Sequence, residues 1–330
     1  MNLFQHPSLP GLDEHLDRVE VALTRSVGTN DPLLADIAAH LIDAGGKRLR
    51  PSLAVMSSLA AGSSVGREGV AEETVQGAVA VELVHLGSLY HDDVIDEAPT
   101  RRGVDSVNAR WGNLLAIVAG DFLLARASEI AASLGTEVSG LLARTIGRLC
   151  EGEVSEIQYA YNARRPEEAY LTAIAGKTAS LMSTSCRVGG ITSDAPREQI
   201  EALTTFGRAF GMTFQIWDDI LDVIGIETTL GKPAGHDLVE GVYTLPVIRA
   251  LRAPSIGDEL ADLLGRRLDT PSRDKVRDMV RATDGILEAA LVARRFADEA
   301  EAALEGFGDS PCVRSLAGLG HRLLDSLELA

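Results

Sequence analysis

The chain has 330 residues, of which 45% are hydrophobic and only 4% aromatic, and its formal net charge at pH 7 is −17. Such acidity argues against a nucleic acid as partner and against tight adsorption to an anionic membrane, because both present negative charge. With so few aromatic residues, Ala, Leu and Val must fill the core, and Ala and Leu favour helices.

The cysteines and the N-terminal residues predict a cytoplasmic protein. Cys150, Cys186 and Cys312 are widely spaced in apolar helical contexts, which predicts reduced, buried thiols. The first twelve residues lack the basic and apolar regions of a signal peptide. The most apolar long window, 114–134, contains charged residues, so it predicts a buried core helix rather than a membrane span.

The first part of the chain predicts three helices and a basic turn. Apolar spacing predicts a helix up to residue 28, and Asp31-Pro32 is typical of the cap and first turn of a second helix. Lys47 and Arg50, three residues apart, share a face at the start of the third. Free N–H groups at a helix start add positive potential, which predicts an anion site; a solvated basic turn is the alternative.

A small-residue loop at 61–69 precedes a long apolar helix, which ends in an acidic cluster at residues 92–96. Asp92 and Asp96 are four residues apart and project from one face, with Asp93 on the flank. Three carboxylates so close together repel one another unless a cation lies among them. Carboxylate oxygens suit Mg²⁺, which completes its coordination with phosphate oxygens.

Two further features of this stretch favour a phosphorylated ligand. Arg101 and Arg102, in a loop after Pro99, suit phosphate through bidentate donors. His85 lies nearly two turns before Asp92 and on the same face, which favours a ligand contact over a core role.

The middle of the chain predicts more helix, at 114–134, at 138–160 and from Pro166 onwards. We interpret most of the acidity of the second of these helices, at Glu151, Glu153 and Glu156, as a solvated face. Lys177, followed by Thr178, is an isolated charge in the third. A lysine there must extend to water or meet an anion, and we expect an anion.

The acidic pattern returns 126 positions after the first cluster, at Asp218, Asp219 and Asp222, again at the end of an apolar helix. A flexible loop follows, with Lys232, one of only four lysines, at its tip. The repetition predicts two helices that face each other across a cavity, with metal ions joining their carboxylates to a phosphorylated ligand.

Nearly all segments are helices with short breaks, and we find no convincing strand, no dinucleotide fingerprint and no Walker loop. The sequence therefore predicts an all-α, single-domain antiparallel helix bundle over residues 1–330, around a deep central cavity.

The motifs, taken together, resemble those of the trans-isoprenyl diphosphate synthases, or polyprenyl synthetases. They run from Gly46 to Pro246 in that family's order: GKRLRP, HLGSLYHDDVIDEAPTRRG, AGDFLLARA, GKTASL, FQIWDDILD, LGKPAGHDL and GVYTLP. The resemblance implies helices around a deep cavity, a homodimer and about three Mg²⁺ ions per site. It also implies a reaction, in which an allylic diphosphate ionises, isopentenyl diphosphate attacks the carbocation, and a proton is lost to the released diphosphate.

The resemblance also assigns roles, position by position. It implies direct metal contacts from Asp92, Asp96 and Asp218, with help from Asp93, Asp219 and Asp222. It implies that the allylic diphosphate is held by Arg101, Lys177, Thr178, Gln215 and Lys232, and isopentenyl diphosphate by Lys47, Arg50, His85 and Arg102. Val242 departs from the family, which often has Lys there, so one phosphate contact is missing.

The resemblance further implies that residues just before the first cluster set the product length. Val84, Gly87 and Ser88 are small enough to leave a product tunnel open, which predicts a long all-trans product of roughly heptaprenyl to decaprenyl size, as in a quinone side chain. Because the prenyl chain of such a product is hydrophobic, the resemblance also implies transient contact with a membrane when the product is released. A geranylgeranyl or farnesyl diphosphate synthase is the alternative; a terpene cyclase, a non-catalytic subunit of a heteromeric synthase and a helical scaffold are weaker ones.

Overall fold

The computed structural model describes residues 11–64, 69–225 and 234–327, and it has the predicted all-α architecture. The helices are α1 Leu12–Ser26, α2 Pro32–Asp43, α3 Leu49–Ser64, α4 Glu72–Ile95, α5 Val107–Trp111, α6 Asn113–Ser133, α7 Thr136–Gln158, α8 Glu167–Ile174, α9 Ser180–Thr192, α10 Arg197–Ile224, α11 His236–Val239, α12 Leu245–Ala250, α13 Gly257–Leu263, α14 Thr270–Arg281, α15 Gly285–Ala303, α16 Pro311–Ala317 and α17 Leu319–Asp325. Within these described ranges, no helix is long and apolar enough to cross a bilayer.

Contacts divide the described residues into two compact units. Unit 1 comprises 1–146, 181–207 and 304–316, and unit 2 comprises 147–180, 208–303 and 317–330. The prediction of one domain around a deep central cavity stays a prediction.

In unit 1, α4 is the central helix and packs on α6, α3 and α1. Its side chains are buried on nearly every face, which explains why its sequence is apolar all round rather than amphipathic. Local signals start the neighbouring helices as predicted. The Asp31 carboxylate accepts a hydrogen bond from the Leu34 amide at 3.0 Å, and Pro32 occupies the first turn of α2.

In unit 2, α12 packs on α15, and α15 packs on α17. The unit's largest fully buried side chains include Tyr170, Phe210 and Tyr243. The few aromatic residues of the chain are therefore used at the centre of the core, where each buries a large apolar area.

The structure corrects four details of the sequence interpretation. Helix α3 continues to Ser64, where a loop was expected from residue 61. The chain does contain strands: β1 (Thr100–Arg101) and β2 (Val104–Asp105) form an antiparallel hairpin, too short to show an alternating pattern. The helix predicted to contain Lys177 is interrupted by a π-helical turn, Ala175–Ala179. Cys150 is exposed rather than buried.

Candidate active site

The first acidic cluster closes α4 in unit 1. Asp92 is half-buried and Asp96 is exposed, and the Asp96 amide donates to the Asp92 carbonyl oxygen at 2.8 Å, so the helical turn persists through the cluster. Asp93, in contrast, is completely buried. The cluster therefore has two carboxylates directed towards solvent and one directed into the protein.

Buried Asp93 holds Arg101 in position. Arg101 Nε donates to Asp93 Oδ1 at 2.7 Å, and Arg101 Nη2 lies 2.5 Å from the same oxygen. The Asn108 amide group donates to the Asp93 carbonyl oxygen at 2.9 Å. Burial raises the pKa of the Asp93 carboxyl, and the hydrogen bond from Arg101 acts in the opposite direction. The β1–β2 hairpin delivers Arg101 to this carboxylate, so the arginine has a fixed place beside Asp92 and Asp96.

Basic residues of unit 1 gather around a buried acid, Glu82. Its Oε1 lies 3.3 Å from Arg48 Nη1 and 3.8 Å from Arg102 Nη2. Arg102 also donates to the carbonyl oxygens of Leu41, at 2.9 Å, and Gly45. These contacts fix the Arg102 guanidinium, since a buried charge is costly unless it is paired and hydrogen-bonded.

A glycine is required beside this guanidinium. Gly46 has a φ of 153°, and a Cβ there would lie 2.8 Å from Arg102 Cζ. The glycine of the GKRLRP motif therefore makes room for the arginine of the TRRG motif, which links two stretches of sequence that are far apart in the chain.

Arg50 and His85 belong to the same cluster. Arg50 Nε is buried and has no hydrogen-bond partner among the described residues, and burial lowers the pKa of Arg50 to about 10, so the group stays charged. Burial, followed by the charges of Arg50 and Arg102, holds the pKa of His85 well below its ordinary value. His85 is consequently a neutral imidazole at pH 7, while Lys47 is exposed.

The residues predicted to set product length have a packing role of their own. Val84 and Gly87 are buried, and Ser88 is half-buried. A Cβ on Gly87 would lie 3.1 Å from the Gly120 carbonyl oxygen and 3.2 Å from the Leu124 side chain, so the glycine lets α4 approach α6 closely. A role in product length stays a prediction.

The second acidic cluster, in unit 2, repeats this division between exposed and buried carboxylates. Asp218 is exposed, whereas Asp219 and Asp222 are buried. The two Asp222 oxygens accept the backbone N–H groups of His236 and Asp237, at 3.3 and 3.2 Å. Asp222 therefore caps the start of α11. Of the three carboxylates in this cluster, Asp218 is the one that faces solvent.

Asp219 is held by two side chains. Tyr170 Oη donates to Oδ2 at 2.5 Å, and Gln215 Nε2 donates to Oδ1 at 2.9 Å. Thr178 in turn donates to Gln215 Oε1 at 2.6 Å, so the structure joins two residues of the predicted allylic diphosphate site. Burial raises the pKa of the Asp219 carboxyl, and the hydrogen bonds from Tyr170 and Gln215 act in the opposite direction.

Lys177 meets two carboxylates in unit 2. Its Nζ lies 2.7 Å from Glu153 Oε2 and 2.5 Å from Glu156 Oε1. The interpretation of this acidity as a solvated face is therefore wrong for Glu153 and Glu156, whose side chains are mostly buried; Glu151 is exposed. The carboxylates raise the pKa of Lys177 against the effect of burial, so the lysine stays charged.

Two glycines explain how Lys177 reaches these glutamates. A Cβ on Gly152 would lie 2.6 Å from the Lys177 amide nitrogen, and one on Gly176 would lie 2.7 Å from the Arg148 carbonyl oxygen. The π turn therefore packs directly on the α7 backbone; π turns inside helices occur frequently at functional sites. Lys232, predicted for the same diphosphate, lies outside the described residues.

The donors present fit a hard divalent cation. They are carboxylate oxygens, the ligands that Mg²⁺ takes in proteins, and buried partners hold their neighbours in place. Over the part of the chain that the structure describes, no three His, Cys, Asp or Glu side chains form a group that could hold a metal alone. Water and phosphate oxygens would have to complete the coordination, as Mg²⁺ sites for phosphorylated ligands commonly require.

Two residues that contact these candidate site residues, Glu82 and Tyr170, were not singled out from the sequence. Glu82 had a usable signal, because it is the only charge in the run AVAVELV. A buried lone acid needs a counter-charge, and the nearby arginines supply it. Tyr170 had none, since a tyrosine in an apolar helix is typical of a core residue.

Comparison with known proteins supports the motif analysis. A family model described as "Polyprenyl synthetase" matches residues 31–282. The chain is 39% identical to "Heptaprenyl diphosphate synthase component 2" of Geobacillus stearothermophilus, covering 89% of this chain and 90% of that protein. It is also 39% identical to "Nonaprenyl diphosphate synthase" of Mycobacterium tuberculosis, covering 92% and 89%.

A solved structure agrees with these matches. The geranylgeranyl pyrophosphate synthase of Corynebacterium glutamicum, complexed with calcium and isoprenyl diphosphate, superposes with a TM-score of 0.85 at 37% identity. The superposition covers 98% of both chains.

Proposed function

The chain belongs to the polyprenyl synthetase family, and on that premise we propose that it condenses isopentenyl diphosphate with an allylic diphosphate to make a long all-trans polyprenyl diphosphate. It is thus a prenyltransferase. One observation carries the residue assignments: in each acidic cluster the first aspartate is at least partly exposed, while the second is buried and hydrogen-bonded to protein.

The proposed reaction breaks one C–O bond and makes one C–C bond. The allylic C1–O bond breaks and the diphosphate leaves with the electron pair, so an allylic cation remains. The double bond of isopentenyl diphosphate attacks that carbon, and the released diphosphate takes a proton from the new cation. Repetition lengthens the chain by one isoprene unit each time.

The motif positions assign the following residues to the allylic diphosphate in this proposal. Asp92, Asp96 and Asp218 contact the metal ions, of which we propose about three, and the buried Asp93, Asp219 and Asp222 hold the structure around them. Bound Mg²⁺ supplies positive charge that stabilises the leaving diphosphate. Arg101, Lys177 and Lys232 contribute further positive charge, and Thr178 and Gln215 contribute hydrogen bonds.

The cluster around Glu82 binds the diphosphate of isopentenyl diphosphate. Lys47, Arg50 and Arg102 supply charge, and neutral His85 donates a hydrogen bond. Arg50 Nε, which no described residue hydrogen-bonds, supports this assignment, because a buried donor without a partner is costly unless a ligand satisfies it.

We propose a product of roughly heptaprenyl to decaprenyl length, in line with the relatives named for heptaprenyl and nonaprenyl products. The small side chains at Val84, Gly87 and Ser88 support the same conclusion, since no ring is present there to stop chain growth. A shorter product is the alternative, because one of the similar solved structures is a geranylgeranyl pyrophosphate synthase.

We propose that the enzyme is a cytoplasmic homodimer, which contacts the membrane transiently to release its product. Leu114, Ile117 and Val118 on α6 are 75%, 43% and 48% exposed, an apolar stripe that a second copy would cover. The relative named "component 2" makes a partner of different sequence the alternative. The three free cysteines are consistent with a reducing compartment.

The proposed function is tested by incubating the protein with Mg²⁺, labelled isopentenyl diphosphate and a panel of allylic primers, and by sizing the products. We expect long polyprenyl diphosphates, and none when the metal is chelated. Products that stop at geranylgeranyl length would replace the long-chain assignment. If none of the primers led to incorporation of labelled isopentenyl diphosphate, the proposed function would be refuted.

A further inference from the structure

A buried arginine in unit 2, Arg165, makes no ion pair among the described residues, although the charges of Glu156 and Asp219 act on it. Arg165 lies in the loop between α7 and α8 and is only 4% exposed. Its Nη1 lies 3.4 Å from the Tyr243 carbonyl oxygen, and its Nε and Nη2 have no hydrogen-bond partner in the part of the chain that the structure describes. Burial lowers the pKa of Arg165, and the charges of Glu156 and Asp219 offset only part of that effect, so a further interaction is needed to favour the buried charge.

The position of the guanidinium relative to Tyr170 supplies that interaction. Arg165 Cζ lies 5.5 Å from the centre of the Tyr170 ring, within the range of a cation–π contact. Tyr170 is fully buried, and its hydroxyl donates to Asp219 Oδ2 at 2.5 Å. A cation over a phenol ring draws electron density from the hydroxyl, which makes the hydroxyl a stronger donor.

The chain of contacts ends at the second acidic cluster. Asp219 accepts from Tyr170 on one oxygen and from Gln215 on the other, so its carboxylate cannot rotate. Asp218 precedes Asp219 in α10, and consecutive side chains on a helix point in directions about 100° apart. Fixing Asp219 inwards therefore fixes the direction in which the exposed Asp218 leaves the helix.

We propose that Tyr170 and Arg165 are positioning residues for the second acidic cluster. Tyr170 locks the Asp219 carboxylate, and Arg165 holds the Tyr170 ring and supplies buried positive charge behind it. Asp218 then meets the metal–diphosphate complex in a fixed orientation. The inference rests on the proposed function, in which Asp218 contacts metal, and it concerns residues that touch neither substrate nor metal.

The test removes a single oxygen atom, in Tyr170→Phe. We expect the affinity for inorganic pyrophosphate in the presence of Mg²⁺, measured by calorimetry, to fall about tenfold, the size expected for a hydrogen bond to a charged group. The KM for the allylic diphosphate should rise to a similar extent. The KM for isopentenyl diphosphate should stay within about twofold, because its proposed residues are Lys47, Arg50, His85 and Arg102 rather than those of the second acidic cluster.

Tyr243→Phe is the matched control. Tyr243 is also fully buried in unit 2, but its hydroxyl accepts a hydrogen bond from the Gly265 amide at 2.7 Å and contacts no carboxylate of the cluster. We expect Tyr243→Phe to lower the melting temperature and to leave magnesium–pyrophosphate affinity unchanged. Equal loss of affinity in both variants would overturn the inference, since it would reduce Tyr170 to a core residue.

Arg165 is tested by a charge-keeping and a charge-removing change. Arg165→Lys should keep at least about a third of the wild-type affinity, and Arg165→Met should lose about as much as Tyr170→Phe. Should Arg165→Met not fold, Tyr170→Phe still decides. Wild-type affinity in Tyr170→Phe, or no magnesium–pyrophosphate binding by the wild type, would overturn the inference. Wild-type protein that binds magnesium–pyrophosphate about tenfold more tightly than Tyr170→Phe but makes no prenyl product would refute the proposed function alone.

Discussion

Arg101 directs two of its nitrogens, Nε and Nη2, at the same oxygen of Asp93, at 2.7 and 2.5 Å. Asp93 is completely buried, whereas Arg101 is partly exposed. One edge of the guanidinium is therefore fixed by the protein, and its remaining N–H groups are available to an anion. Asp93, one of the three carboxylates of the first acidic cluster, thus positions Arg101, which follows the cluster in the chain.

Asp93→Asn should weaken binding of the allylic diphosphate. The amide keeps an oxygen that can accept from Arg101 but loses the charge, so we expect the KM for the allylic substrate to rise about tenfold. Steady-state kinetics with each substrate varied in turn measure this. Asp105→Asn is the control, because Asp105 is an exposed aspartate of the same hairpin. Equal KM values for the two variants would contradict the role of Asp93.

Lys177→Gln should reduce stability as well as activity, because it removes the cation that pairs with both Glu153 and Glu156. We expect the free energy of unfolding to fall by about 1–2 kcal/mol and kcat/KM for the allylic substrate by about a hundredfold. Adding Glu153→Gln and Glu156→Gln should restore stability, measured by urea unfolding, and should not restore activity. Recovery of both together would show that Lys177 is a structural residue only.

Acid should destabilise the protein through His85. The folded chain holds the pKa of His85 well below its ordinary value, so the unfolded chain takes up the proton first as the pH falls below about 6.5. Stability that depends on the neutral imidazole is present above that pH and is lost below it. Between pH 7 and 5 we expect the free energy of unfolding of the wild type to fall by about 1–2 kcal/mol relative to His85→Gln. Parallel pH profiles for the two proteins would refute this.

Ser88→Phe should shorten the product without a large loss of stability, because Ser88 is half-buried and a ring there has room. We expect products no longer than about geranylgeranyl length, by chromatography. We also expect Gly87→Tyr to shorten the product. That variant is harder to interpret, because even a Cβ at Gly87 would lie 3.1 Å from the Gly120 carbonyl oxygen. Gly87→Ala is therefore the control for strain: it should cost about 1–3 kcal/mol and leave product length unchanged. Unchanged length in Ser88→Phe would argue against this part of the tunnel.

The sequence predicted the helices and the position of both acidic clusters at helix ends, where local signals are strong. The Asp31 cap was predicted for the same reason. Helical spacing placed Asp92 and Asp96 on one face, but the same spacing holds for Asp218 and the buried Asp222. The resemblance alone gave Asp93, Asp219 and Asp222 a supporting role, which stays a prediction.

What the sequence could not predict depends on contacts between distant residues. Glu156 resembles any exposed acid until the π turn brings Lys177 to it, 21 residues later. The bond from Tyr170 to Asp219 spans 49 residues, and no local pattern encodes it. The hairpin strands have two residues each, which is too few for a period of two to be visible.

The central claim is that both acidic clusters bind the metal ions that hold the allylic diphosphate. Crystals grown with Mn²⁺ and a non-hydrolysable allylic diphosphate analogue test it most directly, because anomalous scattering locates the metal. We predict metal peaks within bonding distance of oxygens of Asp92, Asp96 and Asp218, with the diphosphate among them. Diphosphate bound with metal at only one cluster, or away from both, would contradict the account.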